Sequence, residues 1–392
     1  MQSSFRYRNF GAFRLLLAAL VVLQHFWANP APEELTAALQ PFEIGSIAVL
    51  VFFCLSGFVI LEAADRIYQD MPGAFFANRL MRIVPHFVLA IAFAIVLCAF
   101  FYKFGGLRVS RDVTFIGGVA FAAKNIVMNL LGFLPWSNRW MNYSYIEITW
   151  AIRVEMLFYV VIAAALLVSH LGRRTRIKHL SLLAATSCIG IPFVLLFLLA
   201  MAGKAPAMFQ LAPYFIFGCS LYAISRQGTP AAYAVMALSI LGMAWEFLAR
   251  PPYHPTVGFE RAAHAQSAIL ALLLMAMVIL SYAKTSKWIR ADRFLGDLTY
   301  PLYVWHMNVM TLLLSITIGY SYTILYLGLA ASLVVAWATH KAIDPLSVSL
   351  RDFIRGRSLN QLWLDSSTDP KKIRLDFMRR RLATRAQSPG FN

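Results

Sequence analysis

Apolar runs of about 20 residues, each closed by a charged or polar turn, recur along nearly all of this chain, and that length is what a helix needs to cross the hydrocarbon core. In lipid every backbone N–H and C=O must find its partner inside the segment, which leaves helices or closed barrels. Barrel strands would read as short alternating segments, and none are found. The fold class is therefore an all-α, polytopic transmembrane helical bundle. Composition agrees, since 60% of the 392 residues are hydrophobic and only 14% are charged, against about 25% charged in soluble domains.

The pattern predicts about ten spans, at roughly 13–28, 45–63, 84–103, 149–169, 181–201, 208–225, 230–249, 264–283, 297–318 and 322–342. The stretch 114–134 is interrupted by Lys124 and Asn125 and reads as an interfacial or re-entrant segment. With the N-terminus inside, the inner segments carry most of the basic residues. These are Arg6, Arg8 and Arg14; Arg66, Arg79 and Arg82; Arg173, Arg174, Arg176 and Lys178; Arg226; and Lys284, Lys287, Arg290 and Arg293. Eleven more lie between Lys341 and Arg385. The positive-inside rule then puts both termini in the cytoplasm. A net charge of +17 spread over span ends argues against nucleic acid and for anionic headgroups and an anionic cytosolic ligand as partners.

The first apolar stretch is kept as a span, because Trp27-Ala28-Asn29-Pro30 is a poor cleavage site. The four cysteines (Cys54, Cys98, Cys188, Cys219) fall in apolar spans and read as small buried hydrophobes. No metal-ligand spacing is found, so no metal is expected. The chain divides into a membrane domain, 1–345, and a basic cytoplasmic tail, 346–392, whose segment Lys371–Arg385 is either a surface helix or disordered. The outer loop 104–148 is long for a connection and carries Trp136, Trp140, Tyr143 and Tyr145. They suit either a sugar platform or an interfacial aromatic belt.

Ionisable groups at membrane depth are costly and mark function. Arg14 and His25 flank and enter the first apolar run, on nearly one helix face and about 16 Å apart along the axis. Arg79 and Arg82, at i and i+3, share a face at an inner mouth, and guanidinium forks suit phosphate. Glu155 and Arg153 lie inside the fourth span, and His306 lies about ten residues into the ninth. Ser56 precedes Gly57 and reads as a packing residue rather than a nucleophile.

The run FRLLLAALVVLQHF, with Arg14 and His25, resembles the first-helix signature of the acyltransferase-3 family of membrane acyltransferases. Further resemblances follow in order. They are VFFCLSGFVI at Ser56–Phe58, FFANRLMRIVP at Arg79, Arg82 and Pro85, and WAIRVEMLFYV at Trp150, Glu155, Phe158 and Tyr159. LTYPLYVWHM and then Ile343-Asp344-Pro345 complete the series, although Arg153 and Met156-Leu157 depart from the family's pattern.

The resemblance implies a ten-helix core in the cell inner (plasma) membrane. It also implies transfer of an acyl group, typically acetyl from acetyl-CoA, to a hydroxyl of an exopolysaccharide, lipopolysaccharide or other lipid-linked glycan. On this reading His25 is the catalytic general base or transient acyl carrier, and Glu155, expected at a similar depth, orients it. Arg14, Arg79, Arg82 and Tyr159 bind the donor, His86 joins them weakly, and His306, Tyr303 and Trp150 face the acceptor. The other histidines (His170, His179, His254, His264, His340) read as interfacial. The competing reading is a transporter or flippase of an anionic lipid-linked glycan, which would leave acetyl-CoA unconsumed and in many folds carries an internal repeat; none is found.

Overall fold

A computed structural model describes residues 8–110, 114–174, 182–249, 259–283, 288–317 and 321–356. The expected tail helix at Lys371–Arg385, several of the inner basic residues (Arg6, Arg176, Lys178, Lys284, Lys287), His179, His254 and the side chain of Cys188 lie outside the described residues. The described chain is all helical. In order it forms α1 (Gly11–Ala28), α2 (Glu33–Leu39), α3 (Ile44–Arg66), α4 (Pro72–Phe104), α5 (Gly117–Ala120), α6 (Ala123–Leu130) and α7 (Thr149–Arg174). Then come α8 (Leu182–Met201), α9 (Ala212–Gln227), α10 (Pro230–Ala249), α11 (Phe259–Tyr282), α12 (Ile289–Ile316) and α13 (Tyr322–Arg355).

Each of the ten expected spans matches a long helix. Among the described residues eight stretches are both long and apolar enough to cross a membrane. The remaining two are α8, which qualifies only as a shorter apolar helix at Pro192–Met201, and α12. Helix α12 is polar along its middle, with Thr299, Tyr300, Tyr303, His306 and Asn308. It tolerates this because Pro301–Met310 is buried without interruption, packed against α1, α4 and α13. Protein, not lipid, is its solvent.

Helix ends depart most from expectation. Helix α4 begins at Pro72 rather than near 84, α12 at Ile289 rather than near 297, and α13 runs on to Arg355 rather than stopping near 342. A hydropathy window sees only the apolar centre, whereas a helix of 34 residues is about 51 Å long and overshoots a bilayer of about 30 Å. The expected domain edge at 345 therefore falls inside a continuous helix. Pro345 does not break it, nor does Pro85 break α4. A proline leaves the carbonyl four residues earlier without its donor, and the carbonyl of Met81 is met instead by the Ser347 hydroxyl at 3.3 Å.

Two close approaches lock the bundle. A Cβ on Gly57 would sit 2.1 Å from the Phe215 carbonyl oxygen, and one on Gly218 would sit 1.8 Å from that of Cys54. The backbones of α3 and α9 thus touch at Gly57 and Gly218, where only glycine fits. At the start of α1 the Asp292 carboxylate of α12 accepts from the N–H groups of Gly11 (2.9 Å) and Ala12 (2.8 Å). An acid at a helix N-terminus satisfies orphan donors and complements the dipole.

The stretch 114–134 does not cross the bundle. It forms the short helices α5 and α6, and its organisers are two buried asparagines. Asn125 accepts from the backbone N–H groups of Asn142 (2.9 Å) and Tyr143 (3.0 Å), and Asn129 accepts from that of Tyr145 (3.1 Å). Tyr143 and Tyr145 pack into an aromatic cluster with Phe115 and Phe121, while Trp136 and Trp140 stay exposed.

Candidate functional site

The bundle carries its ionisable groups in two tiers. The lower tier gathers Arg14 from α1, Arg79 and Arg82 from α4, Glu155 and Tyr159 from α7, and Tyr300 and Tyr303 from α12 around one cavity of about 90 Å³. The Asp292 clamp fixes the first turn of α1 and, with it, Arg14 one turn on. Tyr159 donates to the Glu155 carboxylate at 2.5 Å. The Arg79 guanidinium lies over the rings of Phe75 (5.4 Å) and Tyr159 (5.6 Å). Its Nε is buried with no hydrogen-bond partner.

These three arginines also line a second, wider cavity of about 230 Å³ that opens below the first, toward the start of α1 and the end of α13. The described N-terminal and C-terminal ends therefore lie at the same end of the bundle. On α12 the inner cavity is lined by Thr299, Tyr300 and Tyr303.

The upper tier lies one turn of α12 further on. His306 is fully buried, its ring centroid is 5.1 Å from that of His25 and 6.3 Å from that of Tyr303. Neither histidine is in the cavity wall. Nδ1 of His25 lies 2.9 Å from the Val21 carbonyl oxygen, and Nδ1 of His306 lies 3.2 Å from that of Leu302. A carbonyl only accepts, so in both neutral rings Nδ1 holds the proton and Nε2 keeps its lone pair. In His306 that Nε2 is buried with no partner. Two imidazoles stand together, each with its basic nitrogen unspent.

The expected pairing of Glu155 with His25 is corrected by this geometry. Glu155 faces Arg14 and the arginine cavity and is held by Tyr159, whereas the Val21 carbonyl fixes the tautomer of His25. Tyr303 explains the misplacement, because its hydroxyl donates to the carbonyl of Ile148 at 3.2 Å, just before α7 begins. Helix α7 thus starts below the imidazole tier, and Glu155, six residues further in, lies in the wall of the arginine cavity with Arg14, a wall that does not include His25. Trp150 is also displaced from its expected role. It is 41% exposed, rests against Phe53 at 6.3 Å and stays outside both cavities. Arg153 turns to its own helix and donates to the Thr149 hydroxyl at 3.2 Å.

A further cluster went unread in the sequence. Asp344 accepts at one oxygen from Nε2 of His86 (3.0 Å) and at the other from Nδ1 of His340 (2.5 Å), tying α4 to α13. His86 is thereby a strut between helices, and His340 is no free interfacial group. The i, i+4 spacing of His340 and Asp344 was the only local signal. Among the described residues no group of His, Cys, Asp and Glu is arranged to hold a metal ion.

A family model described as an acyltransferase domain matches residues 7–341. No curated protein and no solved structure matches the chain.

Proposed function

The chain belongs to the acyltransferase-3 family of membrane acyltransferases, and we propose that it moves an acetyl group from cytosolic acetyl-CoA to a hydroxyl of a cell-surface or lipid-linked saccharide. The observation that carries this reading is the arginine-walled cavity that reaches Tyr303, whose ring lies 6.3 Å from His306 in a pair of imidazoles with unspent basic nitrogens. A phosphorylated thioester donor has the matching shape: anionic at one end, apolar and reactive at the other.

In this reading the basic end of the bundle faces the cytosol, in the inner (plasma) membrane, with both termini cytoplasmic. Arg14, Arg79 and Arg82 hold the CoA diphosphate by charge-assisted hydrogen bonds. Tyr159 and Glu155 line the path of the pantetheine arm beyond them. The Tyr303 ring closes the cavity below His306, so turning it aside admits the thioester to the imidazole tier, where the acceptor hydroxyl meets it.

Nε2 of His25 takes the hydroxyl proton as the oxygen attacks the thioester carbonyl. The C–S bond then breaks, and the imidazolium returns its proton to the leaving thiolate. The Val21 carbonyl, by holding the Nδ1 proton, keeps Nε2 in the basic form. His306 stands beside it in the same tautomer and faces the same hydroxyl.

The test is acetyl transfer from labelled acetyl-CoA by the purified protein to a saccharide fraction of the cell surface. Variants His25→Ala and His306→Ala are compared with wild type. Removing a general base is expected to lower the rate about 10²–10⁴-fold for His25→Ala. Undiminished transfer by that variant removes His25 from the mechanism. Consumption of acetyl-CoA by the wild type also separates this reading from transport of an intact glycan.

A further inference from the structure

The outer cavity holds more positive charge than its own residues balance. Seven guanidinium groups and two carboxylates line it. One carboxylate, Glu62, is already engaged by Arg8 at 3.3 Å. Three of the guanidinium groups come from segments unconnected with the Arg14, Arg79 and Arg82 set: Arg293 at the start of α12, and Arg351 and Arg355 in the last turns of α13. Arg355 is only 6% exposed, and its Nε is buried with no partner although Nη2 reaches Asp352 at 2.6 Å. Arg351 makes one hydrogen bond, from Nε to the Ser347 carbonyl on its own helix at 3.3 Å. Six of the seven are partly exposed and Arg355 is paired with Asp352, so what the cavity offers is a concave surface of one sign, and such a cleft draws an anion.

The order of the two cavities indicates which anion. From the imidazole tier outward come the narrow cavity at Tyr303 and Glu155, then Arg14, Arg79 and Arg82 shared between both cavities, then the wide cavity with Arg351 and Arg355. Acetyl-CoA carries, in the same order, a thioester, a pantetheine arm, a diphosphate and a ribose bearing a separate 3′-phosphate.

We propose that Arg351 and Arg355, on the end of α13, form a second phosphate subsite that reads the 3′-phosphate of the donor nucleotide. This rests on the acetyl-CoA reading above. The family match ends at residue 341, so the subsite is built from chain beyond it. Arg351 is the residue to change, because it is half-buried and supports no other side chain, whereas Arg355 is packed. The wild type is expected to favour acetyl-CoA over acetyl-3′-dephospho-CoA. Loss of a charged hydrogen bond weakens binding about tenfold, so Arg351→Gln should raise KM for acetyl-CoA about that much, leave kcat unchanged and leave KM for the dephospho donor unchanged. Arg351→Lys should recover part of the preference.

Binding of adenosine 3′,5′-bisphosphate and of AMP to the purified protein, followed by thermal shift in detergent, gives a readout independent of turnover. If the bisphosphate stabilises wild type but not Arg351→Gln while no acetyl transfer occurs, the subsite stands and the acetyl-CoA reading falls. If transfer occurs but Arg351→Gln discriminates between donors as wild type does, the subsite falls alone. The subsite also falls if phosphatidylglycerol, and neither nucleotide, stabilises wild type over the variant, which would assign these arginines to lipid headgroups.

Discussion

Tyr159 shows what a single hydroxyl does in the lower tier. It donates to Glu155 and offers its ring face to Arg79, so one side chain stands between a carboxylate and a guanidinium. Replacing it by phenylalanine preserves the ring and removes only the donor. Tyr159→Phe is therefore expected to keep thermal stability within about 1 kcal/mol of wild type while lowering acetyl transfer, as Glu155 turns toward the arginines and competes with phosphate. Rate and melting temperature measured on the same preparation check this, and an unchanged rate would leave Tyr159 a packing residue. At this scale the sequence was partly legible. Arg14, Arg79 and Arg82 converge as their spacing and inner position predict. The partners of His25 and Glu155 were not legible, because they depend on how far α7 and α12 slide along α1, which no local pattern records.

Elements interlock through small residues and through carbonyls that prolines leave free. The α3–α9 contact at Gly57 and Gly218 admits no extra carbon atom. Gly57→Ala must push two backbones apart, and overpacking of this kind costs about 1–3 kcal/mol. A lower melting temperature is expected for it, with Gly73→Ala, which meets nothing within 4 Å, as the unaffected control. Ser347→Ala leaves the Met81 carbonyl without its hydroxyl donor. Its expected cost is about 1 kcal/mol, read as a small drop in melting temperature without loss of the folded protein. Helix existence was evident from the apolar runs. Helix ends were not, because the charged turns that carry Arg79, Arg82, Arg293 and Arg351 look like loops to any average of hydropathy. Those same turns build the basic cavities, so the arginine-lined end of the bundle is the part that hydropathy reads worst.

For the whole molecule, the division of labour lies between helices that face lipid and one that does not. Eight apolar stretches surround or accompany α12, whose middle is polar and wholly enclosed. A segment with Arg290, Asp292, Arg293 and Asp297 in its opening turns, followed by tyrosines and a histidine, has a weak claim on the bilayer by itself. Biogenesis must therefore deliver α12 in company. Fused alone to a reporter of membrane insertion, residues 289–316 should remain largely untranslocated, and joined to α13 they should integrate. Efficient solo integration would show that the enclosure found in the finished protein is a convenience and not a condition of its assembly.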